Sequence, residues 1–235
     1  MTPTIKKIQQ IVAVNENDST TLNYAYCEDI GDGRGPTCGI AGWNDDLDKI
    51  LPLYPSLAHY MNQRSNLGEQ FAKDWAASAQ DQVFRDLQDK IQYDEYFAPA
   101  IAMAASYGIV TEAGQAIFCD AAIQQGMDGD PDSLNLMAKH AHDKVLAAGE
   151  EKVPATYEAK YLSALCDIRH GVLMNPYNHK TKKDWQKSVD RSDELKKFVP
   201  GWFDANNVVN QGNIDLVTPF VYNPWGDEPG FTVAG

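Results

Sequence analysis

The sequence predicts a mostly α-helical fold with one short β element, and three observations lead there. Apolar residues recur at three- and four-residue intervals through most of the chain. Helix-start signals stand at Thr111-Glu112 and at Asp130-Pro131, where an N-cap residue precedes proline at the first helical position. A single Gly-rich excursion, residues 24–43, is flanked by short runs of aromatic and β-branched residues.

The first helix follows from Ile5, Ile8 and Val12, which share a stripe that Glu16 extends by one turn. Glu16 is therefore expected to face inward at the helix C-terminus. There the negative end of the macrodipole and partial desolvation would both raise its pKa. The alternative is that Glu16 begins a solvated stretch, Asn15-Glu16-Asn17-Asp18-Ser19. Tyr24, Tyr26 and Cys27, with Ile40, Ala41 and Trp43 after the glycines, read as the arms of a hairpin-like excursion. Glycines 31, 33 and 35 allow positive φ and a sharp bend that exposes Asp32. Asn44-Asp45-Asp46 is expected to start the next helix. Gln70 to Tyr107 reads as two or more long helices with core residues Trp75, Val83, Phe84 and Leu87, broken near Phe97-Ala98-Pro99. From Pro200 onward the chain is rich in Asn, Gly, Pro and aromatics and reads as loop.

Two carboxylates, one ending a helix and one on a Gly-rich turn, are the residue types of glycosidic bond cleavage. The turn also reads as an ordinary acidic loop. Asp29-Ile30-Gly31-Asp32-Gly33 partly imitates a calcium loop, but the twelfth position, which needs a closing Glu, is Ile40.

Glu16 followed by Tyr26-x-Glu28-Asp29-Ile30-Gly31-Asp32-Gly33-Arg34-Gly35-x-Thr37 resembles the chitosanases of glycoside hydrolase family 46. The resemblance implies a lysozyme-like fold of two mostly helical lobes, residues 1–235 forming one bilobal catalytic domain with a small β-sheet beside a substrate cleft. It also implies an inverting endo-hydrolase of chitosan or glucosamine oligosaccharides that needs no cofactor. Glu16 would protonate the leaving oxygen, Asp32 would act as base for water, and Thr37 would help orient that water. Inverting carboxyls stand roughly 6.5–9.5 Å apart, leaving room for the water. Tyr26, Arg34 and Asp46 match positions lining the sugar cleft. Two departures stand out: Glu16 and Asp32 are closer in sequence than the family pattern has them, and a compressed connection after Trp43 leaves Asp45 and Asp46 as rival matches.

Two charges interrupt apolar helical stripes: Asp120 among Ala113, Ala116, Ile117 and Ile123, and Arg169 among Leu162, Leu165, Cys166 and Leu173. Both would point inward, where each needs a partner, and pairing them is the economical solution. Without the resemblance they read as a structural salt bridge. With it, Asp120, Arg169 and Arg191, the last from the charged run Asp190-Arg191-Ser192-Asp193, form an ionic network supporting the catalytic acid. Among the tryptophans, Trp43 is the expected sugar-stacking residue and Trp75, Trp185 and Trp202 are expected in the core, whereas Trp225 fits either role.

The 235 residues carry 20 basic and 33 acidic side chains, a net charge of −13 that opposes nucleic-acid and anionic-membrane partners and favours a cationic one. No apolar run is long enough to span a bilayer; Ala98 to Ala105 is typical of the longest. No signal peptide is visible. Secretion and a monomeric state are expected from the resemblance alone. Four cysteines allow three full pairings. Cys27 and Cys38 flank the excursion and can tie its arms together, while Cys119 and Cys166 read as free core thiols. No metal site is expected, since His140 and His142 point to different helix faces and Cys166 and His170 lack further ligands in register. Two other functions remain open: a non-catalytic module that binds polycations or cell-wall polysaccharide, and a lysozyme- or chitinase-like hydrolase of acetylated sugars.

Overall fold

A computed structural model describes residues 1–29, 35–44, 47–61, 63, 67–149, 154–179, 182–201, 209–226 and 229–235. Among them the protein is mostly helical, with two separate two-stranded antiparallel sheets. The chain divides into two compact units, Val12–Tyr96 and a larger one made of Met1–Ile11 with Phe97–Gly235. The first helix, α1 (Pro3–Asn17), contributes to both.

The unit Val12–Tyr96 begins with the second half of α1 and continues into β1 (Cys27–Glu28) and β2 (Thr37–Cys38). After them come α2 (Leu47–Ile50), two 3-10 turns, α3 (Glu69–Ser78) and α4 (Gln82–Gln92). Asp81 caps α4, its carboxylate accepting from the Val83 amide at 2.9 Å. Ile40, Trp43, Leu47, Ile50, Leu57, Phe71, Trp75 and Phe84 form the core of this unit. Trp75 and Phe84 meet edge to face, with ring centroids 5.0 Å apart. Trp43 is 2 % exposed and belongs to this core, which corrects its expected role as a sugar-stacking ring. The reason is local: the chain reverses after β2, and Cys38 and Trp43 exchange backbone hydrogen bonds at 2.8 and 2.7 Å, drawing the indole under the hairpin. That reversal passes through Gly39 at φ +73°, where an added Cβ would stand 2.5 Å from the Trp43 ring.

In the larger unit, α5 (Ala98–Ser106) carries Pro99 in its first turn, and at the break expected near Phe97-Ala98-Pro99 a π-helical turn at Tyr93–Phe97 runs directly into it. The next helix, α6 (Glu112–Gln125), is capped by Thr111, whose hydroxyl accepts from the Gly114 amide at 3.2 Å. Most of α6 is buried, and its run of small residues lets α5 and later helices pack closely. Next come α7 (Leu134–Ala147), α8 (Pro154–Met174), α9 (Lys182–Gln186) and α10 (Val189–Lys196). The start at Asp130-Pro131 is corrected: Asp130 folds a turn, its carboxylate accepting from Asp132 N at 2.7 Å, and the helix begins after Ser133. The tail is also more ordered than expected. It holds β3 (Phe220–Tyr222) and β4 (Phe231–Val233), paired in the register Phe220↔Val233 and Tyr222↔Phe231. Three-residue strands are too short to show an alternating pattern among prolines and glycines. No helix among the described residues is long and apolar enough to cross a membrane.

Gly39→Ala should lower the unfolding free energy by about 2 kcal/mol or more in urea denaturation, because it adds both a steric clash and a strained positive φ.

Candidate active site

The C-terminal half of α1 is enclosed on nearly every side: Ile11, Val12, Ala13, Val14 and Asn15 are all buried. Glu16, the next residue, is exposed. This corrects the expected inward placement. Asn15 and Glu16 flank the Ile5–Ile8–Val12 stripe at about equal angles, so periodicity alone cannot choose between them. Asn15 takes the buried side. The buried run Ile11–Asn15 therefore ends at Glu16, which presents an exposed carboxylate in the last turn of α1.

In the same unit, β1 and β2 place Tyr26, Glu28 and Thr37 on the two arms of one hairpin, with Glu28 directly opposite Thr37. Thr37 is partly exposed, and its hydroxyl belongs to the arm that leaves the Gly-rich segment. The Tyr26 hydroxyl donates to Glu28 Oε2 at 3.5 Å, and burial together with the Glu28 charge raises the phenol pKa, keeping it a neutral donor. Asp32, Arg34 and Asp46, with its rival Asp45, lie outside the described residues.

The hairpin is held from beneath by side-chain hydrogen bonds to its backbone. Gln88, fully buried on α4, donates to the Tyr24 carbonyl at 3.0 Å and accepts from the Ile40 amide at 3.3 Å, so one amide group joins both arms. Trp75 Nε1 donates to the same Tyr24 carbonyl at 3.0 Å. Asn44 Nδ2 donates to the carbonyls of Gly35 and Pro36, each at 3.0 Å, securing the chain just before Thr37. The signal for Gln88 was present: a polar amide on the Phe84–Ile91 face of an amphipathic helix needs backbone partners.

Asp120, Arg169 and Arg191 come together in the larger unit, all three buried. Arg169 Nη2 lies 2.7 Å from Asp120 Oδ2. Arg191 binds the same carboxylate from the other side, Nη2 to Oδ1 at 2.6 Å and Nε to Oδ2 at 3.2 Å. The expected Asp120–Arg169 pair is thus present. The solvated setting expected for Arg191 is not, because Val189, Arg191, Ser192 and Leu195 form the buried face of α10. Gln125 and Gln124 join the group, accepting from Arg169 Nε at 3.0 Å and Nη2 at 2.6 Å.

Trp185 and Trp225 are partly exposed, and Trp202 lies outside the described residues. His170 Nδ1 lies 2.9 Å from Asp193 Oδ1. Among the described residues no three His, Cys, Asp or Glu side chains gather as metal ligands.

The family model for Glycosyl hydrolase family 46 matches residues 10–61 and 44–220. A chitosanase of Bacillus subtilis strain 168 is 33% identical over 213 residues, spanning 83% of this chain and 76% of its own. Among solved structures, a GH46 chitosanase of Gynuella sunshinyii in complex with chitotetraose superposes with TM-score 0.82 at 29% identity, covering 100% of this chain and 99% of its own. A mutant chitosanase of Bacillus subtilis MY002 complexed with 6 GlcN superposes with TM-score 0.78 at 28% identity, covering 98% of both chains. These relatives share the mostly helical architecture with a small sheet.

Asp120→Ala should destabilise the protein by about 3–5 kcal/mol in urea denaturation, since it strands two buried guanidinium groups. Lys196→Ala removes an ion pair to the half-exposed Asp167, and should cost under about 1 kcal/mol by the same measurement.

Proposed function

The chain belongs to glycosyl hydrolase family 46, and we propose that it is an endo-acting, inverting chitosanase that cleaves β-1,4 links between glucosamine units. The observation that carries this reading is that the family model matches residues 10–61 and 44–220, a span within which Glu16, Asp32, Thr37, Asp120, Arg169 and Arg191 all lie. Glu16 supports it further as an exposed carboxylate following the buried run Ile11–Asn15, in the same compact unit as the Thr37 hairpin.

In this mechanism the Glu16 carboxylic acid donates its proton to the bridging oxygen as the glycosidic bond breaks. Asp32 accepts a proton from the attacking water on the opposite face of the sugar, and the Thr37 hydroxyl hydrogen-bonds that water. After one turnover Glu16 is ionised and Asp32 protonated, and exchange with solvent restores both. Tyr26, held neutral, offers a hydroxyl to the sugar, with Arg34 and Asp46 as further contacts. Asp120, Arg169 and Arg191 support the acid. The net charge of −13 favours approach of a cationic amino-sugar polymer. Such a polymer is met outside cells, and we place the protein there, acting as a monomer.

Glu16→Gln and Asp32→Asn should each lower the rate of new reducing ends from chitosan by about 100-fold or more, with unchanged helical circular dichroism. A wild-type rate in Glu16→Gln would overturn the acid assignment and point to Glu28 or Asp29. The first product seen by proton NMR should be the α anomer; a β anomer would exclude single displacement.

A further inference from the structure

We propose that Cys27 and Cys38 are a cross-linking site, forming a disulfide that closes the Gly-rich acidic loop at its base. The two residues are direct partners in the β1–β2 register. The Gly39 amide donates to the Tyr26 carbonyl at 2.7 Å, which brackets the pair from outside and makes it a non-hydrogen-bonded one. In such pairs the Cα atoms stand about 4.5 Å apart with side chains at their closest, inside the roughly 4.4–6.8 Å that a disulfide accepts. The sulfur atoms lie 2.7 Å from each other. Cys38 is fully buried and is fixed by its paired backbone bonds to Trp43, while Cys27 is partly exposed. Cys119 and Cys166, on α6 and α8, are both buried in the larger unit.

The exposure difference orders the chemistry for a small disulfide oxidant such as oxidised glutathione. The Cys27 thiolate attacks one glutathione sulfur, breaking the S–S bond, releasing one glutathione thiolate and leaving a mixed disulfide. Cys38 then gives up its proton and attacks Cys27 Sγ, expelling the second glutathione. The protein loses two electrons and two thiol protons, and one oxidised glutathione becomes two reduced ones. Burial pushes the Cys38 thiol pKa up, which lowers the thiolate fraction available to the second step. The closed loop spans residues 28–37, which include Asp32 and Thr37. Any effect on catalysis rests on the assignment of those two residues; the bond itself does not.

The test uses the full chain, reduced, desalted and equilibrated across ratios of reduced to oxidised glutathione. Thiols are counted after denaturation, and peptides are mapped without reduction. The expected result is a fall from four thiols to two, with a peptide joining Cys27 to Cys38 and a Tm higher by roughly 5–10 °C. Cys27→Ser should abolish that redox-dependent shift while leaving Cys119 and Cys166 as thiols. Four free thiols at every ratio, persistent mixed glutathione adducts, or a link through Cys119 or Cys166 would overturn the inference. A Cys27–Cys38 link in a protein inert on chitosan would instead count against the proposed activity.

Discussion

Asp120 sits with no solvent exposure between two guanidinium groups, and the larger unit is arranged around that fact. A lone buried carboxylate or a lone buried arginine is costly in a low-dielectric interior, so three helices, α6, α8 and α10, must arrive in register for any of the charges to be tolerated. The chain meets this with geometry: Arg191 reaches Asp120 with two of its nitrogens and Arg169 with a third. The glutamine oxygens of α6 then take two of the remaining donor positions. Such a group fixes the rotation of each helix more narrowly than apolar packing does.

The smaller unit relies on neutral hydrogen bonds at the corresponding place. One buried amide, Gln88, ties the carbonyl of Tyr24 to the amide of Ile40, so the hairpin arms are spaced by a side chain and by a two-residue ladder. Two-stranded ribbons are marginal on their own, and this one is set on the Trp43–Trp75–Phe84 core. Thr37 on β2 and Tyr26 just before β1 thus lie on a hairpin whose underside is packed and hydrogen-bonded.

Much of this was legible in the sequence where a single physical rule applied. Thr111 before an apolar helix, Pro99 at a helix start, and the inward-facing Asp120 and Arg169 all follow from capping or periodicity. Arg191 was obscured by its charged neighbours, although Val189, Ser192 and Leu195 share its buried face. Glu16 was ambiguous because the helical repeat set it and Asn15 symmetrically about the stripe, and only tertiary packing decided between them. Trp43 misled because its position beside acidic residues suggested a surface ring, while the reversal at Gly39 turned it inward. Gln88 stands out as an amide on the Phe84–Ile91 face, but which backbone atoms it and Asn44 bind, far away in sequence or across a turn, residue patterns do not encode.

Which polymer the protein hydrolyses bears most directly on the roles proposed for Glu16 and Asp32. The most direct measurement incubates the protein with highly deacetylated chitosan, with chitin and with peptidoglycan, following viscosity and new reducing ends together. Only chitosan is expected to lose viscosity, and to do so early, before many reducing ends accumulate, as internal cleavage requires. Cleavage of only the acetylated polymers, or of none of the three, would contradict the proposed function.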